Sequence, residues 1–343
     1  MPTKDSLSEA HISNEPVIVV GTGSIGMRHL RVFRDMLQLR SIAVPKRASR
    51  VAELKAEGYE AFPSLAEAVE AGGRLLVVAS DSAEHLYDAE QGIALGCQAV
   101  LMEKPIAPTV AGTERLATVA QKIDGRIFVG CNLRFEAGIR RFRERLPEIG
   151  DIHHVRIEAQ SFLPEWRPQR DYRSSYSASA EQGGVLRDLI HEVDYATWLF
   201  GRPSGVLAFL SNSGTLGIAA EESADLAWRT PSDATISLRL DYVTRPQRRV
   251  MTAFGPEGEL SWNLPAHTVT LTSQTNSHVV EDTQQDRDSM MAAQATAFLR
   301  AAAGDPHQDL ATLSDGIFAI ALCDAARRSS STGRMETICR EDE

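Results

Sequence analysis

No apolar run in the 343-residue chain approaches the roughly 20 residues needed to cross a bilayer, so a membrane-spanning helix is not expected. Positive charge is also in deficit: 36 Lys and Arg stand against 46 Asp and Glu, a net charge of −10. Nucleic acids and anionic membrane surfaces both call for a positive field, so neither is an expected partner, although a local basic patch is compatible with the balance. Cysteine is scarce. Cys97, Cys131, Cys323 and Cys339 show no CxxC spacing and sit mostly in apolar stretches. They read as buried free thiols of a reducing cytoplasm, and no metal-ligand cluster is expected. Residues 1–15 lack the apolar core of a secretory signal and read as a flexible polar leader. There is no internal repeat or low-complexity tract. What is present, 43% hydrophobic and 24% charged residues, is ordinary for a globular chain of about two domains.

The two halves differ in periodicity. Up to Arg134, β-branched runs at Pro16–Val20, Arg40–Val44, Arg74–Ala79, Gln98–Met102 and Ile127–Cys131 alternate with helical spacing at Ser24–Leu39, Ala48–Glu57, Leu65–Ala71, Ala83–Leu95 and Thr109–Lys122. That alternation predicts an α/β domain at 16–134, a doubly wound parallel sheet of Rossmann type. Strand-like runs then follow with few helices between them: Ile152–Phe162, Gly205–Ser211, Ala234–Tyr242, Arg248–Phe254, Glu259–Asn263 and Thr268–Thr272, with turns at Gly255–Gly258 and Leu264–His267. They predict an α+β domain at 135–343 on a large, mostly antiparallel open sheet. Helices are expected at Val185–Phe200, Ser289–Ala303 and Leu310–Ser329, the C-terminal one packing back towards the first domain.

Gly21-Thr-Gly23-Ser24-Ile25-Gly26 follows the first strand and opens the first helix. In that context GxGxxG implies a dinucleotide site: Gly21 for the tight turn, Gly23 for close approach of pyrophosphate, Gly26 for helix–strand packing. The helix start adds unpaired N–H groups for the phosphates. After the second strand the acid that would hold a ribose 2′-hydroxyl is missing, and Lys46 and Arg47 stand there instead. Two cations favour a 2′-phosphate, hence NADP over NAD; a solvated basic loop would look the same.

Glu103-Lys104-Pro105 lies at the C-terminal end of a predicted parallel strand, the edge where open α/β sheets bind ligands. A lysine there can donate to a substrate oxygen, or it is a surface residue paired with Glu103. Gly183–Gly201 reads as one helix whose apolar stripe runs through Leu186, Leu189, Ile190, Val193, Thr197 and Phe200. Asp188, His191, Asp194 and Tyr195 fall on another face. An imidazole among carboxylates suits a general base, although a lone helical histidine is more often structural.

Together and in this order, GTGSIGMRH, MEKPIA at 102–107, GCNLRF at 130–135, GGVLRDLIHEVD at 183–194 and the C-terminal ARRSSSTGR resemble the glucose–fructose oxidoreductase/inositol dehydrogenase (Gfo/Idh/MocA) family over nearly the whole chain. The resemblance implies an NAD(P)-dependent sugar or polyol oxidoreductase, with Lys104 contacting substrate and His191 as acid/base. It also implies a homodimer or homotetramer through the C-terminal sheet. The family's aspartate four residues before the histidine is Arg187 here, so its orienting role passes to Asp188. Ser24, Ile25, Ser80, His85 and Glu103 join the glycines, Lys46, Arg47 and Lys104 as expected cofactor contacts.

Between Trp166 and Tyr176, Arg167, Arg170 and Arg173 interleave with Tyr172. Aromatic faces stack on sugar rings and guanidinium forks bind carboxylate or phosphate, so a pocket lined by this loop would take an anionic carbohydrate. A solvated loop or subunit contact fits equally. Arg134, Trp166, Arg167, Tyr172, Tyr176 and His191 are the expected substrate contacts. The expected activity is hydride transfer between nicotinamide and a hydroxyl-bearing carbon. The alternatives are a glycosidase or epimerase that oxidises its sugar transiently on bound NAD(P), and a non-catalytic dinucleotide or sugar sensor.

Overall fold

The computed structural model describes residues 13–273, 278–305 and 308–338; Cys339 and the first twelve positions of the expected leader lie outside them. The chain forms two compact units. The first takes the chain up to Glu103, then Glu114–Gly130 and Met291–Thr312. The second takes Lys104–Thr113, Cys131–Met290 and the chain from Leu313 on.

In the first unit β1 (Val17–Val20), β2 (Ser41–Val44), β3 (Glu60–Ala61), β4 (Leu75–Val78), β5 (Ala99–Met102) and β6 (Ile127–Val129) form one parallel sheet. Their order is β6-β5-β4-β1-β2-β3. β1, β2, β4 and β5 are buried along their whole length, as near-continuous apolar strands must be when helices cover both faces. The order reverses between β1 and β4, which opens a crevice at the C-terminal edge of those strands. Ala311–Thr312 closes the far side as a short antiparallel strand on β6.

The division falls after Gly130 rather than at the expected 134/135, and two segments change sides. The segment that returns to the parallel sheet is Met291–Thr312, while the last helix, Leu313–Thr332, stays in the second unit. Phe298 meets Phe128 edge-on at 6.2 Å between centroids, and Arg126 Nη1 donates to the Ala302 carbonyl at 3.3 Å. These contacts, with the Ala311–Val129 pairing, fix the return.

The second unit is built on β7 (His154–Phe162), β8 (Gly205–Ser211), β9 (Ser223–Arg229), β10 (Thr235–Asp241), β11 (Val243–Gly255), β12 (Gly258–Asn263), β13 (Thr268–Ser273) and β14 (His278–Asp282). The order is β14-β13-β12-β11-β7-β10-β9-β8, with Glu336–Thr337 added at the β8 edge, and only β7/β10 is a parallel pair. Alternate residues such as Val155, Ile157, Ile236, Leu238, Met251 and Leu260 are buried on one face. Both expected hairpin turns are present, with Gly255 opposite Gly258 and His267 N–H on the Leu264 carbonyl.

Besides the two-residue strands, sequence periodicity misses three longer elements of the second unit. The helix Ala137–Arg145 escapes notice because its arginines interrupt the apolar stripe, yet Glu136 caps it through Ile139 N–H at 2.7 Å. β9 hides an acid among its alternating apolar positions, and β14 is largely exposed. The expected single helix at 183–201 is also two pieces, Val185–Asp188 and Ile190–Phe200, parted at Leu189. In a continuous helix Glu192 N–H would bond the Asp188 carbonyl. Here it bonds Leu189 instead, at 3.2 Å, and the Asp188 carbonyl is left for another donor.

Candidate active site

Four adjacent strands, β5, β4, β1 and β2, end side by side at the first unit's crevice, and each carries expected cofactor residues. After β1, Gly21 turns at φ +86°, and a Cβ on it would lie 2.4 Å from the Ala79 carbonyl oxygen. A Cβ on Gly26 would lie 1.9 Å from the Gly21 carbonyl oxygen, so this position packs helix on turn. Gly23 is different: a Cβ there meets nothing within 4 Å. The space over Gly23 is therefore open. The helix Ser24–Arg31 starts beside it with no side-chain cap and no acid in its first turn, so the N–H groups of Ser24, Ile25 and Gly26 are available to phosphate oxygens. These residues fit a dinucleotide pyrophosphate.

After β2 comes Lys46, and after β4 come Ser80, Glu84, His85 and Asp88. Lys46 Nζ lies 2.9 and 3.0 Å from the two Asp88 oxygens and 2.9 Å from Glu84 Oε2. Ser80 Oγ donates to Asp88 at 2.6 Å, and His85 Nε2 lies 3.0 Å from the Ser80 carbonyl oxygen. Lys46 is thus engaged by carboxylates, while Arg47 is exposed and makes no ion pair among the described residues. After β5, buried Glu103 holds His29 of the glycine-turn helix at 2.7 Å. A Cβ on Gly130 would sit 3.1 Å from the Glu103 carboxyl, so the neighbouring strand keeps room for that pair.

Glu103 is therefore not the partner of Lys104. In the second unit Lys104 Nζ donates to the Asp188 backbone carbonyl at 2.8 Å, the acceptor freed by the helix break. The Asp188 carboxylate is 4% exposed and accepts from the Tyr242 hydroxyl at 2.5 Å through Oδ2; its Oδ1 is buried with no partner. Burial and then the Asp188 charge push the Tyr242 and Tyr176 hydroxyls well above the ordinary phenol range, so both stay protonated. His191 is not held by Asp188: its Nδ1 is buried without a partner. Burial first, then the charges of Lys104, Arg249 and Arg287, hold its imidazole well below the usual histidine range. The ring is therefore neutral at pH 7 and able to accept a proton.

Four of the six expected substrate residues converge. Trp166, Arg167, Tyr172 and Tyr176 line one cleft of about 200 Å³, together with Arg170 and Leu163. Trp166 packs edge-on against Tyr242 at 5.5 Å and donates to Ser161 at 2.9 Å; Tyr172 is tied to the Leu216 carbonyl at 3.0 Å. The guanidinium groups of Arg167 and Arg170 pair with no carboxylate among the described residues. Tyr176 belongs both to the cleft and to the surroundings of Asp188.

Arg134 does not join them. It is 2% exposed and locked bidentate on Asp194 at 2.6 and 3.0 Å, a pair internal to the unit. Asp194 and Tyr195 leave the expected polar face for the same reason: one binds Arg134 and the other packs on Trp262 at 5.7 Å. Arg187 is fully buried and ion-paired to Asp324 of the last helix. Sequence reasoning gives no sign of Tyr242, which carries no motif and sits at the bend between β10 and β11. It also missed Glu84 and Asp88, which helical spacing alone presents as ordinary surface acids. No group of three or more His, Cys, Asp or Glu able to hold a metal occurs among the described residues.

The description "Oxidoreductase family, NAD-binding Rossmann fold" matches residues 16–131, and "GFO/IDH/MocA C-terminal domain" matches 140–261. The chain belongs to the Gfo/Idh/MocA family. Myo-inositol dehydrogenase Hyg17 of Streptomyces leeuwenhoekii is 29% identical over 192 residues, 54% of this chain and 56% of that protein. The chain spans about half the length of the curated relatives it matches. Among solved structures, levoglucosan dehydrogenase in complex with NADH superposes with a TM-score of 0.82 at 16% identity, covering 95% of this chain and 99% of that one. The UDP-N-acetylglucosamine 3-dehydrogenase of Acidithiobacillus ferrooxidans gives 0.76 at 20% identity, covering 93% and 98%. At such identities the likeness establishes a shared fold. No helix among the described residues is long and apolar enough to cross a membrane.

Proposed function

We propose that this chain is a nicotinamide-dinucleotide-dependent oxidoreductase that moves a hydride between its cofactor and a hydroxyl-bearing carbon of a carbohydrate. The observation that carries this reading is the anchored Lys104 ammonium beside a neutral, half-buried His191. When bound, the dinucleotide supplies the hydride donor or acceptor through its nicotinamide ring. Lys104 Nζ holds and polarises the substrate oxygen. His191 takes the hydroxyl proton at an imidazole nitrogen during oxidation and returns it during reduction. Asp188 has a role other than the expected one of orienting His191: its unpartnered Oδ1 accepts a hydrogen bond from the substrate, and Tyr242 holds the other oxygen in position. An acid/base group and an oxygen-holding cation side by side favour an enzyme over a sensor.

The cleft supports an anionic carbohydrate, a sugar acid or a nucleotide-linked sugar, because Arg167 and Arg170, without carboxylate partners among the described residues, line it together with Trp166 and Tyr172. The neighbour that acts on UDP-N-acetylglucosamine and the inositol-oxidising relative bracket the class. Lys46 and Arg47 alone would favour NADP, and the carboxylates around Lys46 weigh the other way. The open face of the second sheet, where Phe209 is 65% exposed, supports a homo-oligomer, which light scattering tests. The buried thiols of Cys97, Cys131 and Cys323, none in a disulfide, support a reducing cytoplasm.

The test is nicotinamide absorbance during incubation with polyols, sugar acids and nucleotide sugars, for the native protein and Lys104→Met. The expected outcome is turnover of an anionic sugar that falls about 10²–10⁴-fold in the variant at unchanged Tm. Product formed without net change in cofactor would move the reading to transient oxidation.

A further inference from the structure

β2 ends without an acid, but the first unit brings two acids to that place from the far side of the crevice. β2, β1 and β4 are neighbours in register, Val44 and Val78 both opposite Val20. Lys46, two residues beyond β2, thus reaches Asp88 and Glu84 in the helical stretch beyond β4, past the end of β1 where the glycine turn begins. Asp88 is the fixed member: its side chain is 7% exposed and its oxygens are taken by Lys46 and Ser80. Glu84 is 49% exposed and has its remaining acceptor capacity towards solvent. The cation expected to welcome a phosphate is therefore neutralised twice over, leaving Arg47 as the only nearby positive charge without a carboxylate partner among the described residues.

We infer that the Lys46–Asp88–Glu84 bridge is the ribose-reading device of this chain and selects NAD over NADP. Lys46 is a positioning residue that holds Glu84 where a carboxylate accepts the ribose 2′-hydroxyl, the task an acid at the end of β2 performs in other Rossmann sites. A 2′-phosphate in the same place would meet the charges of Glu84 and Asp88, with Lys46 unable to turn to it without breaking three short contacts. This rests on the dinucleotide reading of the glycine turn.

The experiment is the Kd of NADH and of NADPH by nicotinamide fluorescence, for the native protein, Glu84→Gln and Asp88→Asn. The native protein is expected to bind NADH at least tenfold tighter than NADPH. Glu84→Gln removes a charge at an exposed position, so the fold is undisturbed; the NADPH-to-NADH ratio of Kd values should fall about fivefold, through tighter NADPH and weaker NADH. Asp88→Asn should move the ratio the same way by releasing Lys46. Because Asp88 is buried, its melting curve is recorded alongside, and Glu84→Gln carries the test if that variant unfolds. A native preference for NADPH, or a ratio unmoved in Glu84→Gln, overturns the inference. Failure of both nucleotides to bind overturns the dinucleotide reading itself and this inference with it, an outcome distinct from a ratio that does not move.

Discussion

At the end of β1 the decisive residues are defined by atoms they do not have, and around Asp188 by atoms with nothing to bond. Gly21 and Gly26 keep backbone on backbone at distances no Cβ survives, and the donors left open at the helix start are main-chain N–H groups. The second unit turns on polar side-chain atoms: a carboxylate oxygen and an imidazole nitrogen left unpaired in a buried place, with a tyrosine on the other carboxylate oxygen and a lysine anchored on the Asp188 main-chain carbonyl. The first region is robust to side-chain chemistry and intolerant of volume. The second is tolerant of modest volume change and sensitive to single polar atoms.

The sharpest way to break that contrast is within the glycine turn. Gly26→Ala drives a methyl into the Gly21 carbonyl and should cost about 2–4 kcal/mol, read as a lowered denaturant midpoint, with dinucleotide binding lost. Gly23→Ala has open space around it and should leave stability within about 0.5 kcal/mol while weakening dinucleotide binding tenfold or more. If both variants lose stability alike, Gly23 is not a ligand-facing glycine. On the other side, Tyr242→Phe keeps the ring against Trp166 and removes one oxygen. We expect kcat to fall about tenfold with KM nearly unchanged, because Asp188 loses its positioning donor while the cleft residues stay in place.

A smaller effect tests the electrostatics of His191. Its folded-state pKa lies well below the ordinary 6.5, through burial first and then the three cations. Above about pH 6.5 the imidazole is neutral folded and unfolded, and stability does not depend on it. As pH falls below that value the unfolded chain binds a proton that the folded chain refuses, and stability declines until the folded imidazole titrates too. His191→Asn removes this component, so its Tm should drop less than that of the native protein between about pH 7 and about pH 5. Equal drops would mean the ring is not desolvated. Least of all, the folded protein should resist thiol reagents at Cys97, pushed up to about 12, and at Cys323, pushed up to about 11, both by burial. Mass-spectrometric mapping of labelled sites checks this.

The same contrast explains what the residues alone disclose. Parallel strands and the GxGxxG turn are local: their periods, apolar runs and missing Cβ atoms are written within a few positions, and the architecture follows from them. Lys104 and His191 stand out by residue type at a strand end and on a helix. Arg134 misleads because an arginine after a strand looks alike whether it meets substrate or Asp194, sixty positions on. Tyr242 and the Lys46–Asp88 bridge are invisible for the complementary reason. Each depends on a partner brought close only by the sheet, fifty-four and forty-two positions away.

The break at Leu189 gives the Lys104 anchor an unusual kind of permanence. Its acceptor is a peptide carbonyl, set free because the chain changes helix there, so no substitution at position 188 can delete it. Anchorage and chemistry at Asp188 are thereby uncoupled: the main chain secures the lysine, and the side chain is left adjustable. A laboratory search for altered substrate preference could randomise the side chains at 188 and 242 without surrendering the ammonium that the proposed reaction needs.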